Sequence, residues 1–68
     1  MEEIYNPLQK KTRQVKDIQS FSYEDFDDKG QPTTARGVKY TVVGNNREWK
    51  DWMPKDLFEE HNPTVKFA

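Results

Sequence analysis

Residues 38–60, VKYTVVGNNREWKDWMPKDLFEE, decide the fold. Val38, Tyr40 and Val42 alternate with Lys39, Thr41 and Val43, and this β-branched, period-two pattern predicts a strand. Gly44-Asn45-Asn46 follows, and each of these residues tolerates positive φ, so a hairpin turn is expected. Arg47–Trp52 then returns along the strand. Trp49 and Trp52 have opposite parity there, so simple alternation leaves one tryptophan exposed. A helix is expected from Met53-Pro54, because proline fits the first helical position. Trp52 and Leu57 have the spacing of a hydrophobic staple, Leu57 and Phe58 supply the buried stripe, and Asn62-Pro63 ends the helix.

Upstream, Lys10–Phe21 carries two patterns. Val15 and Ile18 are three apart, which suits a helix, while the residue types favour a strand. A strand over residues 12–20 with a bulge satisfies both. Lys10, Lys11, Arg13 and Lys16 form the basic cluster, which reads either as a solvated edge strand or as a phosphate-binding face. Ser22–Lys29 has the marks of a short helix: Ser22 as N-cap, Phe21 and Phe26 as a staple, Gly30 as the stop. Its acidic residues Glu24, Asp25, Asp27 and Asp28 lack the spacing of a calcium loop. Residues 30–37 read as a mobile loop, residues 1–9 as a frayed lead-in, and Thr64–Phe67 as a last short strand. Together these predict a single small α+β domain over residues 1–68, with an antiparallel sheet of three to four short strands and two short helices.

The chain has 68 residues, 32% hydrophobic and 34% charged, and its mean hydropathy is -1.18. A domain of this size buries only about 60% of the surface its unfolded chain exposes. Four Phe, three Tyr and two Trp argue against disorder and supply the core that aliphatic residues do not. Net charge is -1, so the total exerts no long-range attraction on nucleic acid or an anionic membrane. No apolar run approaches the roughly 20 residues of a membrane span, and MEEIYNPLQKK does not resemble a signal peptide. The expectation is a protein of the cytoplasm.

Catalytic chemistry finds little to use. There is no cysteine and one histidine. His61 reads as a cap at a helix C-terminus. The carboxylates lie in polar stretches where nothing raises a pKa, and no Gly-rich phosphate loop occurs. No catalytic residue, metal ligand or cofactor is expected, and an enzyme is not. The binding candidates are Tyr40, Arg47, Trp49 and Lys50, read as one aromatic-basic patch on the hairpin, with Arg36 presenting a guanidinium from the loop before it. Trp52, Leu57, Phe58, Phe21 and Phe26 are read as scaffold. Such a patch suits a protein partner or self-association first, and a stacked base of nucleic acid second. Assembly through an exposed edge of the Lys11–Ser20 strand, as in a virion component, is a third reading.

Two segments, KTRQVKDIQSFSYEDF (Lys11–Phe26) and WMPKDLFEEH (Trp52–His61), resemble the opening and the ending of small bacteriophage and prophage proteins. In those, a K-x-R/P-x-V-x-A-I-Q-F/W strand leads into a short capped turn, and a strand reaches a W/Y-x-x-K-P/K-x-x-F-E-x-x-Y helix. Here Asp17 replaces the usual small residue, and His61-Asn62 replaces the closing aromatic. The resemblance implies a small α+β protein encoded by a bacteriophage or prophage and expressed in the bacterial cytoplasm, in a group mostly without assigned activity; the protein-binding reading adds a modulator or inhibitor of a host function. The resemblance itself implies no mechanism.

Overall fold

The computed structural model describes residues 1–67. Strands β1 (Glu2–Asn6), β2 (Lys11–Phe26), β3 (Pro32–Val43) and β4 (Glu48–Pro54) precede helix α1 (Lys55–His61). The strands form one antiparallel sheet in the order β1-β2-β3-β4. The Val38–Val43 strand and its return are as expected, with Val38 against Met53 and Val42 against Trp49.

A bulge in β2 determines which side chains face inward. Lys16 pairs with Thr41 and Gln19 with Lys39, so Asp17 and Ile18 together oppose Tyr40. Asp17 takes a left-handed φ of 56°, a conformation that aspartate tolerates better than most residues. The extra residue reverses the parity of everything after it. Val15 and Ile18 therefore both serve the core, while Phe21 and Tyr23 pass to the outer face.

The inner face carries the core: Ile4, Val15, Val38, Tyr40, Val42, Met53 and, from the helix, Phe58. Ile18, Trp49, Val65 and Phe67 pack around it. The sheet curls over this core until its two edge regions meet. The side chain of Gln9, beyond β1, donates to Asp51 Oδ2 of β4 at 3.2 Å. At the helix end, buried Asn62 is paired to β1 like a strand residue. Its Oδ1 accepts from the Tyr5 N–H at 2.7 Å, and its Nδ2 donates to the Tyr5 carbonyl at 3.0 Å and the Phe58 carbonyl at 3.2 Å. One carboxamide thus caps α1 and occupies part of an open sheet edge.

Several expected elements differ. Ser22–Phe26 is strand, not helix, so the described residues hold one helix. Residues 32–37, expected as loop, are its partner, with Ser22 against Arg36 and Phe26 against Pro32. Cross-strand pairing outweighs the local capping signals, of which the Gly30 stop alone falls in the turn. There Asp27 Oδ1 accepts from the Lys29 and Gln31 N–H groups, and Gly30 takes a φ of 75°. The lead-in is paired: Ile4 lies against Arg13 and is buried. Pro54 is the N-cap rather than the first helical residue. That shift moves the staple spacing from Trp52 and Leu57 to Met53 and Phe58, both fully buried. Thr64–Phe67 is not a strand, although Val65 and Phe67 do pack on the core. Of the Lys11–Ser20 stretch, only Val15 pairs with both neighbours: Lys11–Val15 pairs with β1, and Val15 onward pairs with β3, so Lys16–Ser20 has a strand on one side only.

Candidate functional site

On the outer face, strand register brings three rings together. Phe21 pairs with Gly37, Tyr23 with Ala35, and Trp52 with Lys39. Trp52 meets Phe21 edge-on at 5.6 Å between centroids and Tyr23 at 5.2 Å; Phe21 and Tyr23 are 5.8 Å apart. Aromatic pairs favour these tilted and edge-to-face arrangements. Gly37 makes the cluster possible. A Cβ there would lie 2.8 Å from the Phe21 ring and 3.2 Å from Trp52, so the rings rest directly on backbone. Trp52 remains 46% exposed. The rings border an open groove of about 510 Å³, completed by Lys39, Lys50 and Asp51. The Lys39 ammonium stands 5.8 Å from the Phe21 ring centre, and Lys50 Nζ donates to Thr41 Oγ1 at 2.9 Å. A solvated aromatic surface with two flanking ammonium groups results.

The residues expected to form one hairpin patch fall in three places. Tyr40 is buried, its ring 6.4 Å from Phe58 and its hydroxyl facing Asn6 Nδ2 at 3.5 Å. Burial, and next the nearby Asp51 charge, push its phenol up to about 12, so it offers no surface to a partner. Trp49 shares that inner face, half-buried against the core, with Arg47 at 4.7 Å and Arg13 at 5.5 Å from its ring centre. Lys50 lies on the opposite face, beside the three rings. Arg36 is exposed in a second groove with Tyr23, Pro54 and Leu57.

The assignment of Trp52 and Phe21 as scaffold is thus corrected. Both contribute to the outer face, and Phe26 is 69% exposed near the tip of the β2–β3 hairpin. The bulge was the missing signal. Without its position, Val15 and Phe21 share parity and the outer cluster cannot be read from spacing. The isolated Gly37 within a β-branched stretch was the trace that close backbone approach left in the sequence.

Among the described residues, no group of three or more His, Asp or Glu side chains is placed to hold a metal ion. His61 packs its ring 5.8 Å from Tyr5. Among the described residues, no helix is long and apolar enough to cross a membrane. No family model, curated protein or solved structure matches this chain.

Proposed function

We propose that this protein is a non-catalytic binding module that docks on a host or phage protein in the bacterial cytoplasm, as the phage-type resemblance suggests. The contact surface is the Phe21–Tyr23–Trp52 face. The observation that carries this reading is a set of three mutually packed rings, Trp52 exposed and Phe21 and Tyr23 half-buried, on the face of the sheet away from its core. Aromatic side chains dominate interface energetics because they bury large area at low entropic cost. Lys39 and Lys50 at the rim favour a partner that presents an apolar anchor flanked by carboxylates.

A tagged chain is used to capture a partner from bacterial lysate, which is then purified and titrated calorimetrically. Trp52→Ala is expected to weaken the complex at least tenfold, as loss of an interface tryptophan does, while leaving the melting temperature near that of the parent. Unchanged affinity in Trp52→Ala sinks the assignment of this face. Light scattering on the same sample separates a foreign partner from self-association.

The ammonium groups beside open rings also favour a second reading, stacking of single-stranded nucleic acid. The acidic residues Glu24 and Asp25, just beyond Tyr23 on β2, oppose a polyanion. Titration with a single-stranded oligonucleotide at low salt decides it: steeply salt-dependent quenching of Trp52 supports this reading, and no quenching removes it.

A further inference from the structure

We propose that the partner of the outer aromatic face is a second copy of this chain. The two copies stack outer face to outer face about a two-fold axis, and Trp52 of each enters a groove of the other. The contact surface is the one assigned above, so this identification of the partner rests on that reading.

Strand register places ring and groove symmetrically. Outward side chains lie in rows across the sheet. Trp52 shares a row with Lys39, Pro54 with Gly37 and Phe21, and Tyr23 with Ala35. β4 leaves the sheet at Pro54, so no strand lies beside Ala35 or Thr33 on that side. An open groove of about 520 Å³ takes its place, bordered by Tyr23 and Ala35 of the sheet and by Pro54 and Leu57. Trp52 thus stands one row before the Gly37–Pro54 row, and the groove opens one row after it. A two-fold axis lying across the strands along the Gly37–Pro54 row exchanges these positions, so each exposed indole faces the partner's groove. Such an isologous contact is self-complementary and occurs twice in the dimer. Tyr23 borders both this groove and the aromatic one, which makes the apolar surface continuous.

The same axis matches charge. Lys50 lies one row beyond Trp52, and its ammonium meets only the neutral Thr41 hydroxyl. Its image across the axis is the Asp25–Thr33 row, and Asp25 and Asp56 line the groove there. Among the described residues the ion pair is Lys16–Glu48, so neither carboxylate is engaged by a cation. Each accepts only from the next residue's N–H, that of Phe26 or Leu57. Arg36 and Lys55 also border the groove but lie toward the inner face. Arg36 has the parity of Val38, and the Lys55 ammonium stands 6.0 Å from the Phe67 ring. The outer face therefore runs from cationic through aromatic to acidic, and reversing one copy against the other brings opposite charges together. A domain of 68 residues with a thin core is also one that commonly draws stability from association.

The test is sedimentation equilibrium of the full chain from micromolar to millimolar concentration. A mass approaching twice 8.1 kDa is expected as concentration rises. Trp52→Ala is expected to weaken the dimer about tenfold or more. Asp25→Lys and Lys50→Asp, both at exposed positions, are each expected to weaken it about fivefold or more, since two attractions become repulsions. An equimolar mixture of these two variants is expected to dimerise at the parent's strength, because both contacts again pair a cation with a carboxylate. Misfolding of either variant cannot produce that rescue. A chain that stays monomeric to millimolar concentration overturns the second-copy assignment alone, and Trp52-dependent binding of a captured protein then leaves the face itself standing. A dimer indifferent to Trp52→Ala, or charge variants that do not recover on mixing, overturns the assignment as well, and the first of these also removes the aromatic face as the contact surface.

Discussion

Tyr40 shows how one residue couples the core to pH. Its ring is buried, and its hydroxyl meets Asn6 at a distance that gives a weak hydrogen bond. Burial, followed by the Asp51 charge, opposes ionisation, while Asn6 and Arg13 favour it by smaller amounts; the balance is a pKa of about 12. The unfolded chain ionises near 10, so between those values the unfolded state has released a proton that the folded state still holds. Stability is therefore fully present below pH 10 and falls as pH rises toward 12, by roughly 2 kcal/mol for this one group. The comparison that isolates Tyr40 is with Tyr40→Phe. The variant is expected to lose less stability than the parent between pH 9 and about 12 when both are unfolded in urea. Equal losses exclude Tyr40 as the source.

The bulge in β2 is a feature of an element, and deletions test it. Removing Asp17 leaves Ile18 alone opposite Tyr40 and restores regular pairing, with Lys16 still against Thr41 and Gln19 against Lys39. Every side chain keeps its face. Removing Ser20 instead leaves two poor choices. Either the bulge persists and Phe21 turns inward beside Val38, or the bulge is absorbed and the Asp17 carboxylate enters the core. The Ser20 deletion is expected to cost about 2 kcal/mol or more beyond the Asp17 deletion, as an inverted face or an unpaired buried charge does, and urea unfolding of the two proteins measures it. Retention of the Phe21–Trp52 ring contact by NMR in the Asp17 deletion completes the check. These elements differ in how plainly they are written. VKYTVV is legible because alternation and residue type agree. Val15–Phe21 shows that something interrupts the alternation, but aspartate at 17 carries no mark of its φ. SYEDF carries helix-start chemistry that only pairing with PTTAR overrides, and such pairing is non-local. The outer aromatic face depended on the bulge, so it was out of reach; the closeness of Arg47 to Trp49 was within reach of hairpin spacing, whereas that of Arg13 was not.

At the scale of the whole molecule, the chain is long and unevenly supported, with extents of 43 × 24 × 23 Å. β1 pairs with β2 only over Lys11–Val15, and β4 pairs with β3 only over Gly37–Val43. Ser22–Phe26 and Pro32–Arg36 thus project as a two-stranded arm with no further strand on either side. The arm ends in Glu24, Asp25, Asp27 and Asp28, while Lys10, Lys11, Arg13 and Arg47 sit at the opposite end, so a net charge of -1 conceals a strongly polar molecule. A two-stranded ribbon alone is marginal in water. The core instead draws on every strand and on α1, which makes its unfolding a single event. Phe58 is fully buried, 6.4 Å from the Tyr40 ring and 5.3 Å from Phe67. Its truncation to alanine is expected to cost about 3–5 kcal/mol, most of the stability open to so small a domain. Phe26→Ala, on the arm, is expected to change global stability by less than about 0.5 kcal/mol. Hydrogen exchange draws the same boundary in the unaltered protein. Amides of Val38–Val42 are expected to exchange only through global unfolding, and those of Tyr23–Phe26 and Thr33–Ala35 through cheaper local opening. Equal protection in the two sets rejects the division into core and arm, and equal destabilisation by Phe26→Ala and Phe58→Ala rejects it by a separate route.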